Sequence, residues 1–163
     1  MASSVTAKTK IRGILEILSA SWEFSTLPMR FGEDKTMKHL ARTLTHALPE
    51  GSAFDANTKA LVLLQSHFSR KTVSPDMRSD QHIVLKESVT LLQAIIDVIS
   101  SNGWLKPALA AMELSQMTVQ GLWNKDHVLK QIPHFSDEIV KRCVAYKGEE
   151  AIESVFDILT LED

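Results

Sequence analysis

Residues 79–104, SDQHIVLKESVTLLQAIIDVISSNGW, leave this chain little choice of architecture. The run holds no proline, and no glycine before Gly103. Val84, Leu85, Leu91, Leu92, Ile95, Ile96, Val98 and Ile99 fall at helical spacing. The apolar face they form is wide, as in a helix packed from several sides. One narrow polar stripe remains, Lys86, Thr90, Gln93 and Asp97, stepping by four, three and four residues. Asp76 or Ser79 offers a side-chain oxygen to the unpaired amides of the first turn. Gly103 suits the far end, where a left-handed residue commonly stops a helix. At about 1.5 Å per residue such a helix crosses a small domain, so the rest of the chain is expected to pack around it.

The remaining composition is consistent with an all-α fold. Six glycines and five prolines in 163 residues argue against β-rich or low-complexity structure. Apolar residues at 44% and charged residues at 23% are ordinary for a soluble globular protein. A net charge of −2 gives no global attraction to nucleic acid or to an anionic membrane. Cys143 is the only cysteine, which excludes an intramolecular disulfide and favours a reducing compartment. The N-terminal residues MASSVTAKTK lack the apolar core of a signal peptide. No apolar run approaches the roughly 20 residues that span a bilayer, and Gln93 and Asp97 interrupt the best candidate.

In chain order, residues 1–6 read as a flexible lead. A first helix is predicted over 7–21, with Ile11, Ile14, Leu15, Ile17 and Leu18 inward. Gly32 precedes a second over 33–47, lined by Met37, Leu40, Ala41 and Leu44, with Glu33 and Asp34 favouring its positive end. Residues 49–52 connect to a third helix over 55–70, opened by Asp55. A linker containing Pro75 leads to the long helix. Pro107 fits the first turn of a fifth helix, 106–122, expected to bury Leu109, Met112, Leu114, Met117 and Val119. A short turn over 125–130, a helix over 136–146, a break at 147–148 and a last helix over 151–159 complete the chain. The expectation is a helical bundle over 7–131, built around one long central helix. Residues 132–163 read as the beginning of a small helix-loop-helix unit, cut short.

Signs of catalysis are sparse. The glycines are too scattered for a phosphate-cradling loop, and no serine sits in a nucleophile elbow. None of the six histidines pairs with another at three or four residues, so no helix offers a two-histidine metal face. Cys143 beside Arg142 reads as a small core residue on the helix with Ile139 and Val140. His67 and Arg70 either touch a phosphate or a partner's acid, or cap a helix end. Trp22, Trp104 and Trp123 follow apolar runs and suit core closure better than base stacking. Arg70, Lys71 and Arg78 are the candidate phosphate or partner contacts. The stripe Lys86, Thr90, Gln93 and Asp97 faces either water or a channel or neighbouring domain.

Residues 100–135, SSNGWLKPALAAMELSQMTVQGLWNKDHVLKQIPHF, carry a family resemblance. So do TKIRGILEILSASWEF, LPMRFGED, LVLLQSHFSR and ESVFDILTLED. Together they resemble the C-terminal cassette of the large spliceosomal RNA helicases of the U-five small nuclear ribonucleoprotein, in its Sec-sixty-three homology region. The resemblance covers nearly the whole chain, and GWLxPALAAMEL is its most specific segment. It implies a helical bundle followed by a helix-loop-helix unit, with the motor domains elsewhere. ATP and magnesium then belong to those motors, and this segment has no catalytic residue or cofactor of its own. Active relatives grip a strand from a ratchet helix through an arginine and an aromatic residue. The matching places here are apolar, near Val84 and Leu91. The resemblance therefore implies a nuclear, non-unwinding accessory module with the helicase's other domains and splicing factors as partners, weak RNA contact at most, and no membrane. The stripe then reads as a lining or docking surface. A nucleic-acid-contacting module and the related translocon-subunit domain are the alternatives.

Overall fold

Pro28, Arg30, Glu33, Lys59 and Asp80 are scattered along the chain, yet they meet at one buried point. The computed structural model that shows this describes residues 5–48, 53–146 and 152–160. The expected connector at 49–52, the break at 147–148 and most of the expected lead fall outside them. The described residues are helical, with no strand among them. The helices are α1 (Ile11–Ser19), α2 (Glu33–Ala41), α3 (Ala56–Phe68), α4 (Pro75–Ser101), α5 (Leu105–Gln120), α6 (Asp137–Val144) and α7 (Val155–Leu159), with 3-10 turns at Trp22–Thr26 and Val128–Gln131. The chain divides into two compact units, Met1–Gly121 and Leu122–Asp163. The division lies ten residues before the expected boundary at 131, because the Leu129 side chain is claimed by the second unit's core.

In the first unit, the 27-residue α4 is the central element and packs against α5, α3 and α1. Its start differs from expectation. Ser74, not Asp76 or Ser79, caps it, the Ser74 hydroxyl accepting from the Met77 amide at 3.4 Å. Pro75 lies at the first helical position, where its missing N–H costs nothing, rather than in a linker. Gly103 ends the helix as expected, with φ +70. Its amide donates to the Ser100 carbonyl at 2.9 Å while that of Trp104 reaches Ile99 at 3.4 Å, the paired closure of a left-handed stop. Met77, Val84, Leu92, Ile95, Ile96 and Ile99 are buried.

Other boundaries also moved. Val5, assigned to the flexible lead, is buried, and the Thr6 amide bonds the Thr9 hydroxyl at 2.9 Å, so α1 begins only at Ile11. Helix α2 stops at Ala41, short of the expected 47. Gln65, wholly buried on α3, donates to the His46 carbonyl at 3.0 Å and accepts from the His46 amide at 2.9 Å. That pair substitutes for helical hydrogen bonds and draws the chain out of the helix. On α5, Leu114 and Met117 are buried as expected, alongside Ala108 and Ala111. Leu109, Met112 and Val119 are not, and with Leu105 they form an exposed apolar face. Both faces of this helix are apolar, so periodicity alone could not choose which is buried; the alanine-bearing face allows the closer approach. Trp22 is likewise exposed rather than core-closing.

The second unit is small. Leu129, Val140 and Ile152 form its core, with Ile132, Phe135, Cys143 and Ile158 packed against them. Ser136 caps α6, and Ser154 with Asp157 forms a reciprocal capping box on α7.

The polar cluster in the first unit has no counterpart in the sequence reading. Lys59 of α3 is fully buried, and its Nζ donates at 2.7 Å to each of three acceptors: the Pro28 carbonyl, Glu33 Oε2 and Asp80 Oδ2. All three ammonium protons are thereby used. Arg30 completes the cluster. Its guanidinium forks onto both oxygens of Asp80, with Nη2 at 3.0 Å from Oδ1, and Nη1 also reaches Glu33 Oε1 at 3.2 Å. The Arg30 amide donates to Glu33 Oε2 at 3.1 Å. Two positive and two negative groups thus tie the 28–32 segment, α2, α3 and the first turns of α4 together.

Removing one member strands the others. Lys59→Met should destabilise the chain by about 3–5 kcal/mol in guanidinium unfolding, since two carboxylates remain buried against Arg30 alone; a loss under about 1 kcal/mol would contradict this account. The cluster also sets an acid limb. The Arg30 fork holds the Asp80 carboxyl below its ordinary range against the opposing cost of burial. Burial pushes Glu33 upward, but Lys59 and the Arg30 amide bring it below its ordinary range on balance. Both groups favour folding when ionised. Their contribution should be complete above about pH 5 and fall away as pH drops through the depressed native values.

Candidate functional site

The packing of α4 decides which of its side chains can meet a ligand. Val84, Ser88, Leu92, Ile95 and Ile99 point into the bundle, which turns Lys86, Thr90, Gln93 and Asp97 outward. All four are exposed, and the structure brings them together along about three turns of one helix face. Gln93 Nε2 donates to Asp97 Oδ1 at 3.0 Å. The stripe is not purely polar. Ile83, Val89 and Val98 share the outer side of α4 and are 50%, 42% and 42% exposed. Lys86 is the one cation between Arg78 and Lys106. Val84 is fully buried and Leu91 half-buried. A side chain at position 84 thus serves the core and cannot contact a strand.

The three candidate cations have different surroundings. Arg70 lies just past α3 with φ +50, a left-handed conformation costly for a residue with a side chain. It occupies the position a glycine usually takes: the Lys71 amide bonds Ser66 O and the Arg70 amide His67 O, both at 2.9 Å. That conformation aims its guanidinium at the end of α5, where Nε donates to the Gly121 carbonyl at 3.1 Å. His67 ring Nε2 lies 2.9 Å from the Thr118 carbonyl, one turn earlier. One side chain of α3 and one just past its end therefore serve the negative C-terminus of α5. Gly121 is required there twice over, because its φ is +62 and an added Cβ would lie 3.1 Å from the His67 ring. Burial, opposed by the Thr118 hydrogen bond, holds His67 below its ordinary pKa, so it is neutral at physiological pH. The Lys71 ammonium donates to the Thr43 carbonyl. Arg78 instead is exposed on the first turns of α4, and its side chain takes no hydrogen bond or ion pair among the described residues. It borders an open concavity with Thr72, Ser79 and His82.

Sequence reading missed two features. The Lys59 cluster was hidden because a lone lysine within ALVLL-type surroundings gives no sign of its partners, which lie 21 and 26 residues away. The other is an apolar recess between α1 and α4, bordered by Glu23. Leu91, Ala94, Ile95 and Val98 on its α4 wall signalled an apolar face, but not that part of it stays uncovered. No group of three or more His, Cys, Asp or Glu able to hold a metal ion occurs among the described residues. No described helix is long and apolar enough to cross a membrane.

Comparison with known proteins follows the same helices. The profile of the Sec63 Brl domain matches residues 1–156. The U5 small nuclear ribonucleoprotein 200 kDa helicase of Homo sapiens is 46% identical over 160 residues, covering 98% of this chain and 7% of that protein. The DExH-box ATP-dependent RNA helicase DExH12 of Arabidopsis thaliana is 44% identical over 162 residues, covering 99% of this chain and 7% of the relative. The activating signal cointegrator 1 complex subunit 3-like protein of Dictyostelium discoideum is 46% identical over 161 residues, with the same coverages of 99% and 7%. The chain thus spans a small fraction of the length of each.

The cations separate in a stability measurement. Arg70→Ala should cost about 1–2 kcal/mol in chemical denaturation, the worth of a charge-assisted bond to the end of α5, because alanine keeps the Cβ that makes the left-handed conformation costly. Arg78→Ala should stay within about 0.5 kcal/mol of the parent chain. Equal losses at the two positions would contradict these assignments.

Proposed function

The chain belongs to the Sec63 Brl domain family, and from that premise we propose that it is a non-catalytic accessory and protein-interaction module of a spliceosomal, ATP-dependent RNA helicase. Its partners are the helicase's other domains and splicing factors, and its place of action is the nucleus. ATP and magnesium are bound by the motor domains of the longer protein. The docking surface is the outer face of α4, with Lys86, Thr90, Gln93 and Asp97.

The observation that carries this reading is the character of that face. Phosphate contacts need several cations in register along a strand. This face offers Lys86 alone, opposed by Asp97, among the exposed apolar side chains Ile83, Val89 and Val98. Mixed apolar and neutral polar side chains suit a protein partner. Arg70 and Lys71 donate to neighbouring backbone carbonyls, which leaves fewer of their N–H groups for a phosphate.

A second reading retains nucleic-acid contact through Arg78, whose charge is unspent at the start of α4. The Dictyostelium relative, an activating signal cointegrator 1 complex subunit 3-like protein, is as similar to this chain as the human spliceosomal relative is, which supports a cointegrator-complex subunit as an alternative parent.

Fluorescence anisotropy with a labelled single-stranded RNA separates the first two readings. At physiological salt the chain should bind no tighter than about 10 μM, within the range of non-specific attraction, and Arg78→Ala should change little. Sub-micromolar binding that weakens steeply with added salt would overturn the docking reading in favour of strand contact.

A further inference from the structure

The recess between α1 and α4 is uncovered apolar surface with a defined size. Its volume is about 230 Å³, and Ile17, Leu91, Ala94, Ile95 and Val98 form most of its wall. Pockets that enclose cofactors or drug-sized ligands begin at about 300 Å³. An apolar cavity of about 150 Å³ accommodates a benzene ring. The space here therefore suits one large apolar side chain rather than a whole small-molecule ligand.

The recess also has a charge preference. Glu23 is the one charged residue lining it. That carboxylate is exposed and takes no hydrogen bond or ion pair among the described residues. No lysine or arginine borders the opening among the described residues.

We propose that this recess is the anchor site for a partner polypeptide, seating one large apolar side chain while an adjacent lysine or arginine of the partner pairs with Glu23. The proposal rests on the docking reading above and gives it a location and a chemical preference. Interfaces commonly concentrate their energy in one such filled pocket, with charge at the rim setting selectivity.

The test uses the full 163-residue chain with labelled methyl groups, titrated in NMR with three capped dipeptides: acetyl-Phe-Lys-amide, acetyl-Phe-Glu-amide and acetyl-Ser-Lys-amide. Acetyl-Phe-Lys-amide should shift the methyl signals of Leu91, Ala94 and Val98 saturably, with a dissociation constant on the order of a millimolar, as befits so small a ligand. It should bind about fivefold better than acetyl-Phe-Glu-amide at low salt, and the serine peptide should produce no saturable shift. Glu23→Gln, at an exposed position, should abolish the preference for lysine while leaving binding of the aromatic ring. Ala94→Trp, which fills the recess from its own wall, should abolish binding of all three with helical circular dichroism retained. Equal binding of the three peptides, a lysine preference that survives Glu23→Gln, or no shift at these methyls would overturn the anchor site. So would methyl shifts that depend on protein concentration without peptide, since a second copy would then occupy the recess. Any of these results leaves the wider docking reading standing on the RNA titration, whereas sub-micromolar RNA binding would defeat that reading without altering the dipeptide result.

Discussion

The three hydrogen bonds of the Lys59 ammonium hold the first unit to one arrangement. A buried lysine is costly unless every proton finds an acceptor, and here the acceptors come from three separate parts of the chain. Pro28 lies in the segment before α2, Glu33 opens α2, and Asp80 sits in the first turns of α4. None of these elements can shift alone without leaving a charge unpaired in the interior. Apolar packing tolerates small displacements; an ammonium with three bonds at 2.7 Å does not. Arg30 closes the charge balance from the half-exposed side.

This clamp acts on one end of α4, and apolar packing governs the rest. Asp80 fixes the rotation of the helix about its axis near its start. Val84, Ser88, Leu92 and Ile99 then follow inward at helical spacing, and Lys86, Thr90, Gln93 and Asp97 are carried outward by the same rotation. The far end is set by the Gly103 stop, and α5 returns along α4 with its own C-terminus served by His67 of α3 and Arg70 just beyond it. On the docking reading proposed above, the mixed outer face of this helix and the open apolar recess are held in place before a partner arrives, which lowers the ordering cost of binding.

Much of this was legible in the sequence where the signal was local. Helix count, the central position of α4, the Asp55 cap and the Gly103 stop follow from periodicity and turn chemistry. The stripe at positions 86, 90, 93 and 97 was visible as spacing, and its exposure follows once the inward residues are known. What escaped was non-local. Nothing near Lys59 announces Glu33 or Asp80. Nothing near position 42 announces that Gln65 will take the His46 backbone and end α2 early. Arg70 read as either a phosphate or partner contact or a helix cap, and the acceptor that decides its role, Gly121, lies 51 residues away. Helix α5 misled for a different reason: with apolar residues on both faces, the choice between Leu109 and Ala108 belongs to the neighbouring helices.

The docking account is tested most directly by placing a photo-crosslinking residue at Gln93 in the longer protein that carries this domain, isolated with its native partners. The account requires that irradiation join this position to polypeptide, giving adducts that persist after nuclease and disappear after protease. Adducts that are predominantly RNA would contradict it.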